Sequence, residues 1–129
     1  MKICILTAGK GTRIGDLCKN INKALLPINN KPIISHLIEK FDAKDSFVIG
    51  LGYKGNQVKN YLKNAHPERK FTFVNIKNHD GVGSGPGLSL LSCKKYLNEP
   101  FVFLPCDCNF LDKFENMVDK NWMGVSKVP

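Results

Sequence analysis

Apolar residues occur along the chain in two kinds of run. Short unbroken runs predict buried strands at Ile3-Cys4-Ile5-Leu6, at Ser46-Phe47-Val48-Ile49-Gly50-Leu51 and at Phe101-Val102-Phe103-Leu104. Phe71-Thr72-Phe73-Val74-Asn75-Ile76 alternates in part and predicts another. Between them apolar positions recur at helical spacing. Ile33, Ile34, Leu37, Ile38 and Phe41 follow Pro32, which suits a first helical turn. Val58, Tyr61 and Leu62 predict a second helix ending near Asn64, and Leu88, Leu91 and Tyr96 a third. Asn29-Asn30 signals a turn. Residues 110–119 read as helix and 122–128 as the opening of a fifth strand. Strands alternating with helices predict an α/β fold: a three-layer, Rossmann-like, mostly parallel sheet with helices on both faces. A length of 129 residues suggests one domain. The sheet also reads as cut at Pro129, so the expectation is a fold truncated at its C-terminus.

Composition narrows the class. Hydrophobic residues at 43% and charged residues at 23% fit a soluble globular chain. No apolar run approaches the roughly 20 residues that cross a bilayer. The opening Met1-Lys2-Ile3-Cys4-Ile5-Leu6 is too short for a signal-peptide core. The expectation is a cytoplasmic protein with no membrane partner. Five cysteines at irregular spacing argue against a disulfide framework. Cys106-x-Cys108 has no second pair to complete a zinc site, since His36, His66 and His79 are scattered. The net charge of +8 suits a polyanionic partner. The lysines are dispersed and the aromatics do not interleave with them, so a nucleotide is expected rather than nucleic acid.

Candidate chemistry begins where the first strand ends. Gly9-Lys10-Gly11-Thr12-Arg13 is a glycine loop whose amides could approach a phosphate, with Arg13 adding a fork of donors. Alone it is a weak signal that a tight turn would also explain. It lacks the third glycine of the dinucleotide fingerprint and the Gly-Lys-Ser/Thr of a P-loop. Ten residues after Arg13 stands Lys23, within Asn22-Lys23-Ala24-Leu25-Leu26-Pro27-Ile28, followed by Lys31-Pro32-Ile33-Ile34-Ser35-His36.

From Leu6 to His36 this order resembles the signature of the sugar nucleotidyltransferases: a Leu-Ala-Gly-Gly-x-Gly-Thr-Arg loop, Pro-Lys-x-Leu-x-Pro, then Lys-Pro. The related molybdopterin nucleotidyltransferases place their lysine nearer the loop, which argues against that branch. Gly52-Tyr53-Lys54, Gly83-Ser84-Gly85-Pro86-Gly87-Leu88 and Phe103-Leu104-Pro105-Cys106-Asp107 resemble later family segments, in order. Ala8, Asn22 and Cys106 depart from the signature's glycine, proline and glycine, and none of these changes removes a charge.

The resemblance implies transfer of a nucleoside monophosphate from a nucleoside triphosphate to a phosphorylated small-molecule acceptor, with pyrophosphate released. Residues 1–129 would form the N-terminal nucleotide-binding portion. Arg13 and Lys23 would be catalytic. Leu6, Ala8, Gly9, Gly11, Thr12, Arg13, Asn78, Gly83 and Ser84 would bind nucleotide, and Asp107 would hold Mg²⁺. His79 and Asp80 fall in the corresponding base-binding loop, where a solvated position is the alternative. His36 is expected to pack or cap. Family members are considerably longer, so this chain reads as a partial copy without the acceptor site, and a homo-oligomer is left open. Sugar 1-phosphates, phosphocholine and phosphonates all serve as acceptors in the wider family. Two other classes compete. A non-catalytic or regulatory nucleotide-binding module would keep the loop without the acceptor half. A glycosyltransferase could use Asp107-x-Asn109 as a loose metal motif, but the glycine loop with Arg13 and Lys23 argues against it.

Overall fold

The computed structural model describes residues 1–110, 120–125 and 127. In chain order the strands are β1 (Lys2–Leu6), β2 (Pro27–Ile28), β3 (Lys31–Pro32), β4 (Ser46–Leu51), β5 (Lys70–Asn75) and β6 (Phe101–Pro105). The helices are α1 (Ile33–Ile38), α2 (Gly55–Ala65) and α3 (Pro86–Ser92), with short 3₁₀ turns at Thr12–Cys18, Lys23–Leu25 and Lys94–Tyr96. The four longer strands form one parallel sheet in the order β5-β4-β1-β6. The chain steps outward through β1, β4 and β5, then returns to lay β6 on the other side of β1. Leu6 pairs with both Gly50 and Pro105, so the carboxyl ends of these strands lie level. A reversal of direction between two parallel strands is where open α/β sheets take their ligands.

Alternation along each strand divides the interior into two layers, as the expected three-layer arrangement requires. Ile3 and Ile5 of β1, Phe47 and Ile49 of β4, and Val102 and Leu104 of β6 face α1 and α2, packing with Ile34, Leu37, Ile38, Val58 and Leu62. Cys4 and Val48 face the other way and pack with Ile76 and Cys93 beneath α3. Burying each large side chain contributes about 1.5–3 kcal/mol. The two-residue strands β2 and β3 are a tight hairpin. Asn29 and Asn30 at its tip take φ of 50° and 62°, the left-handed pair that matches strand twist.

Three expectations need adjustment. The third helix does not bury Leu91, which is 61% exposed; Ser89 and Cys93 lie inward instead, with Leu90 half-buried beside them. The link between the glycine loop and Lys23, where no element was expected, winds as a 3₁₀ turn kinked at Gly15. Of the helix expected over 110–119, residues 111–119 lie outside the described residues, and residues 122–125 of the expected fifth strand form no strand. No described helix is long and apolar enough to cross a membrane.

Candidate functional site

A cleft of about 300 Å³ opens at the carboxyl ends of β1 and β6. Its wall includes Leu6, Ala8, Gly9, Arg13, Lys23, Ser84 and Asp107 from the expected set, together with His79, Phe103 and Cys106, which that set lacked. Gly11, Thr12, Asn78 and Gly83 are not part of this wall. Asn78 and Gly83 are exposed, and the structure turns His79 inward rather than Asn78. Thr12 begins the 3₁₀ turn. Gly11 takes φ 69°, and a Cβ there would lie 2.8 Å from Cys18 Sγ.

The glycine loop is fixed from below. Thr7 is fully buried and both its amide and its hydroxyl donate to the Gly50 carbonyl, at 2.9 and 2.8 Å. Tyr53 N donates to the Ala8 carbonyl at 2.9 Å. The loop backbone rests so closely on Gly52 that a Cβ there would come within 2.7 Å of the Ala8 carbonyl oxygen. Gly9 is different, because a Cβ at that position meets nothing within 4 Å. Nothing in the fold demands glycine at 9, and its open side faces the cleft.

Lys23 is positioned by the residue before it. Asn22 is completely buried. Its Nδ2 donates to the carbonyls of Thr7 (2.8 Å) and Tyr53 (2.6 Å), and its Oδ1 caps the Lys23–Leu25 turn by accepting from Ala24 N at 2.9 Å. Its backbone N–H donates to Gln57 Oε1 at 3.0 Å. Asn22 takes φ −65°, the value to which a proline ring is locked, so the signature's proline and this asparagine share one backbone path. Tyr53 Oη donates to the carbonyls of Cys18 and Lys19, and Gln57 Nε2 to that of Asn20. The Gly-Tyr-Lys stretch and the start of α2 therefore pin the whole span from Cys18 to Asn22. His36 does not enter the cleft; its Nε2 donates to the Ile28 carbonyl at 2.9 Å and ties α1 to the hairpin.

Three charged groups from distant segments meet in the cleft. Lys23 Nζ lies 2.9 Å from Asp107 Oδ2. Arg13 is close enough to act electrostatically on both. Partial burial opposes charge on Lys23, but its hydrogen bond to Asp107 and the nearby negative groups outweigh that and raise its pKa. Burial likewise opposes ionisation of Asp107, but Lys23, the backbone and Arg13 outweigh it and hold the carboxyl below its usual range. The cleft thus carries a protonated lysine, a guanidinium and a carboxylate at neutral pH. Cys106 beside them is buried at the strand end and its thiol is pushed up to about 12, chiefly by burial, so it is not a nucleophile at neutral pH. Lys10 of the glycine loop forms an ion pair with Asp80 of the loop after β5.

This geometry can bind an anionic ligand against loop amides, balance its charge with two cations and present one carboxylate to a divalent metal. Known proteins are similar to this chain in sequence and in fold. Bifunctional protein GlmU of Methanocaldococcus jannaschii is 35% identical over 119 residues, which cover 92% of this chain and 28% of the relative. The solved CTP:phosphocholine cytidylyltransferase LicC of Streptococcus pneumoniae is 30% identical with a TM-score of 0.67, over 88% of this chain and 48% of that one. A UDP-glucose pyrophosphorylase complexed with UDP-glucose is 27% identical with a TM-score of 0.67, over 82% of this chain and 45% of that one. The chain thus spans less than a third of the curated relative and less than half of either solved chain. The matching family model bears the MobA-like name, the branch that the lysine spacing argues against, whereas the solved neighbours bear UDP-glucose and phosphocholine names. The model matches residues 3–114, a stretch that carries every segment of the cleft wall, and on that match the chain belongs to the MobA-like NTP transferase domain family.

Proposed function

We propose that this chain is the nucleotide-binding part of a nucleotidyltransferase that moves a nucleoside monophosphate from a nucleoside triphosphate to a phosphorylated acceptor. The observation that carries this reading is the convergence of Arg13, Lys23 and Asp107 on one cleft beside the glycine loop. An oxygen of the acceptor phosphate attacks the α-phosphorus, the bond from the α-phosphorus to the bridging oxygen breaks, and pyrophosphate leaves. Such transfer relies on positioning and charge balance rather than on covalent help from the protein. Backbone amides of the glycine loop hold the triphosphate tail. Arg13 offsets charge that develops on the leaving pyrophosphate. Lys23 lies between the α-phosphate and the incoming phosphate and lowers their mutual repulsion.

Asp107 suits Mg²⁺, being an ionised oxygen ligand that is half-exposed at the strand end. Among the described residues no three His, Cys, Asp or Glu side chains gather as a ligand group. That fits a cation that takes one or two carboxylates and fills its shell with substrate phosphates and water. When bound, the metal supplies charge neutralisation at the phosphate oxygens. Both the UDP-glucose and phosphocholine names among the neighbours support a phosphomonoester acceptor.

The test is pyrophosphate release by the full-length protein with each of the four triphosphates and a panel of phosphorylated acceptors. Release that depends on both partners is expected. Arg13→Ala and Lys23→Ala should each lower kcat/KM by roughly 10²–10⁴-fold, the scale at which a lost charge weakens a phosphoryl transition state. Near-normal turnover in Lys23→Ala would remove the lysine from this role.

A further inference from the structure

Residues 77–84, between β5 and α3, are held by little. All but His79 and Ser84 are exposed, Val82 completely. A Cβ at Gly81 or Gly83 would meet nothing within 4 Å. Ser84 N and Oγ both donate to the Gly81 carbonyl, at 3.2 and 2.7 Å, so those bonds stay inside the segment. Among the described residues, the ion pair of Asp80 with Lys10 is the one hydrogen bond or ion pair that joins this segment to another part of the chain. Yet the segment contributes His79 and Ser84 to the cleft wall, and Lys10 follows Gly9 of the same wall. The Lys10 end is anchored, because the backbone before it is tied through Thr7 to Gly50 and through Ala8 to Tyr53. The hydrogen bond from Lys10 keeps the Asp80 carboxyl below its usual range, so both partners are charged at neutral pH. A segment with so few contacts opens at low cost in free energy.

We propose that the Lys10–Asp80 ion pair is a strap that closes the cleft over a bound nucleoside triphosphate and slows its release. This rests on the nucleotidyltransferase reading. Both are positioning residues, acting through the two wall segments that carry them. Segments that close over a bound molecule govern how fast it leaves. Plain electrostatics predicts the opposite sign. A carboxylate beside a polyanion repels it, and removing Asp80 would also free the Lys10 ammonium for the phosphates. On that ground alone Asp80→Asn would slow release, whereas loss of a strap speeds it.

Association and release of the four ribonucleoside triphosphates with Mg²⁺ are measured by surface plasmon resonance on the complete protein. The variants are Lys10→Gln, Asp80→Asn and the two combined. Asp80→Asn should speed release of the tightest binder about threefold, the scale of one exposed ion pair, without slowing association. Adding Asp80→Asn to Lys10→Gln should speed release no further, because the strap is already open. Ligand-free melting temperatures should match the wild type. Release from Asp80→Asn at the wild-type rate or slower would overturn the proposal. An Asp80→Asn effect of equal size with and without Lys10 would do the same, as would faster release together with a lowered melting temperature. In each case the nucleotidyltransferase reading would stand. If the wild type binds none of the four triphosphates, that reading fails and the strap with it.

Discussion

Asn22 makes five hydrogen bonds to five different residues, three of them through its side chain, and they fix the turn from which Lys23 reaches Asp107. Asn22→Ala would leave the Thr7 and Tyr53 carbonyls without their donor and uncap the Lys23–Leu25 turn. A stranded buried group costs about 1–3 kcal/mol and a lost cap about 1 kcal/mol, so destabilisation on the order of 3 kcal/mol is expected in urea unfolding. Asn22→Asp would keep the cap but turn an oxygen toward two carbonyls, and should be no more stable than the alanine variant. If Asn22→Asp is as stable as wild type, the side-chain amide is not the anchor. Arg13, Lys23 and Asp107 were picked out by the resemblance of their segments to an ordered family signature, and the structure brings all three to one cleft. The role of Asn22 was not, because its partners stand at 7, 53 and 57 and nothing periodic encodes them. For His79 the sequence left a loop position against the cleft and a solvated one open, because which of two adjacent loop residues turns inward depends on backbone torsions, not on residue type.

Between elements, α1 and α2 are joined by a buried polar chain. Ser35 Oγ on α1 lies 2.7 Å from Tyr61 Oη on α2 and 2.8 Å from His66 Nε2 at the end of α2. Burial lowers the pKa of His66 below its ordinary 6.5, with Glu68 and Glu39 opposing. The unfolded chain then binds the proton more readily than the folded one. Stability is full above pH 6.5 and declines as pH falls from there toward the lower folded-state pKa. Denaturation midpoints measured from pH 7.5 to pH 5 should therefore fall, and His66→Gln should flatten that segment of the curve. A slope that His66→Gln leaves unaltered would assign it to other groups. β1, β4 and β6 were readable because each buries at least one face, and β5 because Phe71 and Phe73 pack against the core. α3 misled because its inward positions include Ser89 and Cys93 while Leu91 faces out, so the apolar residues did not mark the buried stripe.

For the whole molecule, a net charge of +8 surrounds a cleft that already holds Arg13 and Lys23. Long-range attraction of a polyanion is screened beyond roughly 10 Å at 0.1 M salt. Raising sodium chloride from low to molar concentration should weaken triphosphate binding several-fold more than nucleoside binding, as followed by calorimetry. Equal salt dependence for the two ligands would show that the charge surplus does not serve binding.

The Lys23–Asp107 contact has a consequence in time as well as space. Its partners stand 84 residues apart along the chain. While the protein is being made, the glycine loop, Arg13 and Lys23 emerge early and can be carried on a growing chain that lacks the carboxylate. They acquire it only when the segment ending in β6 pairs with β1, which is also the step that closes the reversal in the sheet. Contacts of such long range form late and slowly. A nascent chain would thus hold two unbalanced cations at its anion site until β6 arrives, and its readiness for a nucleotide would switch on at that step rather than grow by degrees.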